Sequence, residues 1–119
     1  MKRLFLDTNV LVDLVCNREP FVDEAKRIFA LAYANKVYVG ISALSYINTV
    51  YISRKYNFCD EEVIDSLRKI ASFTVITQLN HVTIMQAMDM GWNDFEDAVQ
   101  YYSSLPFMAD YIITRNPKD

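Results

Sequence analysis

The stretch Leu4-Phe5-Leu6-Asp7-Thr8-Asn9-Val10-Leu11 decides how the chain is read. Leu4 to Leu6 is short and apolar, the pattern of a buried strand, and the carboxylate of Asp7 stands at its carboxyl end. Asn9 to Cys16 continues as a helix capped by Thr8 or Asn9, although its valines also suit a strand. A carboxylate directly after a buried strand is costly unless something stabilises it. A metal ion or a polar loop of backbone N–H donors would each do so, and position alone leaves both open. Asp13 falls roughly 240° around a helix from Asp7, and so is expected to face away.

Outward from that stretch, strands and helices alternate. Asn17-Arg18-Glu19-Pro20 is a break, with Pro20 placed for the first turn of the next helix. Phe21, Ala25, Ile28, Phe29 and Ala32 recur at helical spacing to about Asn35. Val37 to Ile41 is β-branched and apolar, a second strand, and Ser42 opens another helical stretch. Asp60 is the expected N-cap of a helix striped by Val63, Ile64, Leu67 and Ile70. Phe73 to Ile76 is the third strand. Asn80 and Gly91 bracket the next helix as cap and stop. Asp94 opens a helix that ends near Pro106, and Tyr111 to Ile113 is the last strand. Strands separated by helices imply parallel pairing through crossovers, so the fold class is α/β.

Composition narrows the field further. The 119 residues are 52% hydrophobic with only 2 Gly and 3 Pro, which fits one domain over 1–119 and argues against low-complexity or turn-rich β architectures. The net charge of −3 weakens any reading as an electrostatically driven DNA-binding module. Cys16 and Cys59 form no C-x-x-C pair and His81 is the only histidine, which excludes a zinc finger or a disulfide scaffold. Reduced thiols in a cytoplasmic protein are expected. The opening apolar run is too short for a signal peptide, and no segment reaches the roughly 18 apolar residues of a membrane span.

The acidic residues sit where such a fold builds sites. Asp7 follows the first strand, Asp94, Glu96 and Asp97 open a helix, and Asn116 and Asp119 follow the last strand. Sites in an open parallel sheet form at the strands' carboxyl ends. Clustered carboxylates raise one another's pKa, and a hard cation such as Mg²⁺ or Mn²⁺ relieves the conflict. Such an ion also activates water and neutralises phosphate charge, chemistry that needs no His, Cys or Ser nucleophile. The competing reading makes Asp94 a helix N-cap only, its neighbours complementing the helix dipole. Glu96, lying between Asp94 and Asp97, is expected to point to solvent.

Phe5-Leu6-Asp7-Thr8-Asn9-Val10-Leu11, Ile41-Ser42-Ala43-Leu44-Ser45, Asp94-Phe95-Glu96-Asp97-Ala98 and Ala109-Asp110-Tyr111-Ile112-Ile113-Thr114-Arg115-Asn116 together resemble a PIN domain, in that family's order. The resemblance implies a three-layer α/β/α sandwich on a central parallel sheet. It also implies a Mg²⁺- or Mn²⁺-dependent endoribonuclease, of the kind found among VapC-type toxins, with RNA as substrate, a small antitoxin as partner and a homodimeric state. By position, Asp7 and Asp97 match the family's catalytic, metal-binding acids, Asp94 an acidic companion, and Asn116 a position that is often Asp. Asn48 stands where the family usually has Glu. An amide ligates through its oxygen but brings no charge and cannot act as a base. Asn9, Asn48 and Arg115 are the residues expected at the substrate. The family's pattern continues beyond T-R-N into a further strand, so a C-terminal strand is expected to be missing.

The two amides also support an alternative, a catalytically impaired PIN-like domain that binds RNA or protein. An aspartyl phosphotransferase is disfavoured because its D-x-D motif has Asn9 at the second acid. His81 reads as a cap or surface residue. The tyrosines, including Tyr46, Tyr51, Tyr101 and Tyr102, and the Met85, Met88, Met90 run read as packing rather than base stacking. Arg54-Lys55 reads as a solvated helix end, whereas Arg115 and Lys118 are candidates for phosphate contact.

Overall fold

A computed structural model describes residues 1–114. Arg115, Asn116, Lys118 and Asp119, and the expectation of a strand beyond them, lie outside the described residues. Strand β1 (Lys2–Leu6) leads into helices α1 (Thr8–Val15) and α2 (Val22–Tyr33), then β2 (Val37–Ser42). Helices α3 (Ala43–Arg54) and α4 (Asp60–Ala71) lead to β3 (Val75–Thr77), and α5 (His81–Met90) and α6 (Phe95–Phe107) lead to β4 (Tyr111–Ile113). Among the described residues the sheet runs β3-β2-β1-β4, and every pairing is parallel.

Alternation along β1 sorts its side chains to the two faces. Leu6 joins Val10, Leu11, Phe29, Val39, Ile41, Val63 and Leu67 in the larger core, covered by α1, α2 and α4. Full burial of a side chain like Leu6 stabilises by about 1.5–3 kcal/mol. A smaller cluster of Ala87, Ala98 and Val99 packs α5 and α6 together on the other face. There α6 crosses β2 at Gly40, where a Cβ would stand 2.9 Å from the Phe107 ring. Glycine is what lets that helix lie down on the sheet. The result is helix, parallel sheet, helix, as expected from the sequence.

Strand order places the site. The chain builds β1, β2 and β3 outward in one direction, then returns to lay β4 on the other side of β1. The reversal opens a crevice between the carboxyl ends of β1 and β4, the position where open α/β sheets bind ligands. The Asp7 N–H donates to the Ile113 carbonyl at 3.0 Å, which fixes the floor of that crevice.

Several local expectations shift. The N-cap of α1 is Asp7, not Thr8 or Asn9, and its carboxylate accepts the Thr8 N–H at 2.8 Å. The helix therefore starts immediately after the strand. The N-cap of α4 is Cys59, whose N–H donates to Glu62 at 3.0 Å, so Asp60 is the first helical residue. It is free there to pair with Arg54. Pro20 lies in the turn ahead of α2, and β3 begins at Val75 rather than Phe73. The Asn80 cap and the left-handed Gly91 stop, at φ 73°, fall where the sequence puts them. Among the described residues no helix is long and apolar enough to cross a membrane.

Candidate active site

A cavity of about 430 Å³ occupies the crevice. Asp7 and Asn9 enter it from the β1–α1 junction, Asp97, Gln100 and Tyr101 from α6, and Trp92 from the α5–α6 connection. Phe5, Ile112 and Thr114 complete the wall. Two carboxylates distant in sequence, Asp7 and Asp97, therefore share one cavity.

The amino end of α6 is arranged by its own hydrogen bonding. Asp94 is the N-cap and accepts the Asp97 N–H at 3.2 Å. The capping role weighed for Asp94 is thus real, and it leaves Asp97 in the first turn beside it. The Asp97 carboxyl is pushed above the usual carboxylate range by partial loss of solvent and by the Asp94 charge. Glu96 is exposed, as expected, and it also has a partner. It accepts a hydrogen bond from Asn48 Nδ2 on α3. Its carboxyl is raised by desolvation and then by the charges of Asp94, Asp7 and Asp97, against the lowering effect of Asn48. Glu96 therefore feels each of the other acids. Position within D-x-E-D hides this, because the signal lies in the α3 amide opposite.

Beneath the acids lies a buried hydroxyl and amide network. Thr8 Oγ1 and Ser45 Oγ are 2.7 Å apart, and Ser42 Oγ donates to Ser45 Oγ at 3.2 Å. Gln100 Nε2 donates to Ser45 Oγ at 2.8 Å and to Thr8 Oγ1 at 3.1 Å. The network pins the β1–α1 junction, the start of α3 and α6 to one another, and so sets the distance between Asp7 and Asp97. Sequence reasoning missed Gln100 as a site residue. Its signal was helical spacing, three residues after Asp97, which puts both on one face.

Other expected residues divide. Asn9 lines the cavity, yet its backbone and side-chain oxygens both accept from Arg18 at 3.3 Å. Arg18 in turn donates to buried Asp13 at 2.7 Å, and Asp13 is not among the residues lining the acid cavity. Asn48 lies not in this cavity but in a neighbouring groove of about 490 Å³ that also holds Glu96. His81 is an exposed residue in the first turn of α5. Arg54 is held by Asp60 at 2.7 and 2.9 Å, as a solvated helix-end charge would be. Tyr101 packs against Trp92 and Tyr102, as read, and also lines the cavity.

The donor chemistry suits a hard divalent cation: the side chains gathered here are carboxylates that repel one another. Among the described residues no three acidic, His or Cys side chains converge as a ready ligand cage. Mg²⁺ commonly keeps several waters and takes only one or two carboxylates directly, so a pair flanked by further acids fits such an ion.

A parallel α/β sheet flanked by helices, with an acidic crevice at its switch point, defines the class as an open-sheet α/β protein. The sequence model of the PIN domain matches residues 3–118, and the chain belongs to the PIN domain family. Comparison with curated proteins found no match. Among solved structures, VapC20 of Mycobacterium tuberculosis, described as a sarcin–ricin loop cleaving toxin, superposes with a TM-score of 0.75 at 16% identity. The match covers 97% of this chain and 91% of that one. A toxin–antitoxin complex from Klebsiella pneumoniae gives a TM-score of 0.69 at 23% identity, covering 98% and 88%. At these identities the likeness is one of fold.

Proposed function

We propose that this protein is a divalent-metal-dependent endoribonuclease of PIN type and the toxin of a toxin–antitoxin pair. The observation that carries the reading is that Asp7 and Asp97 line one cavity at the switch point of the sheet. Asp7, Asp94, Asp97 and Glu96 are the residues proposed to hold Mg²⁺ or Mn²⁺, with Asn116 as a further oxygen donor. When bound, the ion supplies a more acidic water and Lewis acidity toward phosphate oxygens. The chain's own part is positional. Asp7 and Asp97 orient water for attack on phosphorus, Asn9 and Arg115 contact the substrate, and Asn48 steadies Glu96 from α3. A water oxygen bonds to phosphorus, the P–O bond to the leaving strand breaks, and the leaving oxygen takes a proton.

The solved toxin described as cleaving an RNA loop supports RNA as the substrate class. The neighbouring toxin–antitoxin complex supports a small antitoxin as partner. A homodimer in the cytoplasm completes the proposal. Cleavage of single-stranded RNA with and without Mn²⁺, beside Asp7→Asn, tests it. Metal-dependent cleavage that disappears in the variant is expected, and equal cleavage by both proteins would overturn it.

The uncharged amides of Asn48 and Asn116, at positions where the resemblance leads one to expect acids, favour a second reading, a binding module that does not cut. In that case Mn²⁺ leaves the melting temperature unchanged, whereas specific ligation raises it by mass action.

A further inference from the structure

We propose that Trp92 and Tyr101 form a stacking platform that holds one unpaired nucleobase of the substrate beside the acids. This rests on the ribonuclease reading of the same cavity and adds the residues that hold the base. Both rings line the cavity that holds Asp7 and Asp97. Their centroids lie 5.4 Å apart with the planes tilted by 42°. A single phenol ring covers at most one face of the indole, and Trp92 remains 41% exposed. The platform is braced from behind: Tyr102 meets Tyr101 edge-on at 5.2 Å, and its hydroxyl contacts Met90 Sδ at 3.2 Å.

The electrostatics favour a contact that does not depend on charge. The cavity gathers acids and the chain carries a net charge of −3, so phosphate is repelled until a cation intervenes. Stacking draws on the face of a base and not on its charge, and every base has such a face. A base inside a duplex keeps both faces covered by its neighbours, whereas one in a loop or single strand can splay out. The volume, about 430 Å³, falls in the usual range of small-ligand sites, roughly 300–1,000 Å³.

Trp92 is the chain's only tryptophan, so its emission reports the site directly. The probe is a short fluorescein-labelled oligoadenylate, titrated with Ca²⁺ in place of Mg²⁺ so that binding is read without turnover, and compared with a fully paired duplex. Binding is read by label anisotropy on wild type, Trp92→Ala and Trp92→Phe, and indole emission is followed with the unlabelled strand. Thermal unfolding of each variant separates a lost contact from a lost fold. The expected result is saturable quenching by the single strand and little by the duplex. Binding should weaken roughly tenfold or more in Trp92→Ala and less in Trp92→Phe, at matched melting temperatures. Unchanged emission at saturation, equal affinity of Trp92→Ala, absence of single-strand binding or equal binding of duplex would each overturn the inference. Metal-dependent cleavage measured alongside judges the ribonuclease reading separately. Cleavage without quenching removes only the platform, and quenching without cleavage removes only the enzyme.

Discussion

Asn48 on α3 donates its side-chain N–H to the carboxylate of Glu96 on α6, so an amide from one helix steadies an acid on another at the edge of an anionic crevice. The bond is partly exposed to solvent, which limits its contribution. Asn48→Ala is expected to lower stability by about 1 kcal/mol, within the range for bonds to charged groups discounted for exposure. Asn48→Asp should cost more without metal, because it sets a carboxylate against Glu96, and should regain stability when Mn²⁺ is added. Thermal unfolding with and without Mn²⁺ checks both.

The raised carboxyls of Glu96 and Asp97 give the fold a pH dependence of definite sign. The folded state holds these protons more tightly than the unfolded chain does. The two groups therefore destabilise the fold as pH rises through and above the ordinary carboxylate range. Asp97→Asn and Glu96→Gln are each expected to raise the melting temperature at neutral pH and to flatten its fall between acid and neutral conditions. Unfolding curves across that window, without divalent metal, measure the effect.

Gln100 joins two chain junctions through paired bonds to Thr8 and Ser45. Gln100→Leu removes both, while the Thr8 and Ser45 hydroxyls keep each other. A loss of about 1–3 kcal/mol is expected. Weaker Mn²⁺ stabilisation of the variant should accompany it, because Asp7 and Asp97 are no longer held in register. Chemical denaturation with and without Mn²⁺ reads both quantities.

Gly40 is a packing requirement rather than a turn. Gly40→Ala places a methyl against the Phe107 ring and is expected to cost about 1–3 kcal/mol. Adding Phe107→Leu should give a double variant less destabilised than the sum of the singles, a coupling seen only between residues in contact. A double-mutant cycle by urea unfolding tests it.

Much of this architecture was legible in the chain. Leu4 to Leu6 and Val37 to Ile41 are apolar runs of strand length, and Asn80 with Gly91 punctuates α5, so the alternation of strands and helices and the parallel pairing followed from local chemistry, whereas the order of strands in the sheet did not. Asp7 and Asp97 were legible as candidates because each stands where an element begins. Tertiary partners were not. Glu96 is exposed, as read, but its hydrogen-bond donor, Asn48, is distant in the chain and so was not legible. Gln100 and Trp92 carried no acidic or motif signal, since their significance comes from the crevice that β4 opens by returning to β1. The caps shifted because Asp7 and Cys59 themselves hold the extended backbone that an N-cap adopts.

The account's central claim is that Asp7 and Asp97 together bind a divalent cation. Calorimetric titration of Mn²⁺ into wild type, Asp7→Asn and Asp97→Asn measures it most directly. Saturable binding by wild type, weakened roughly tenfold or more in each variant, is the expected result. Identical binding isotherms for the three proteins would contradict it.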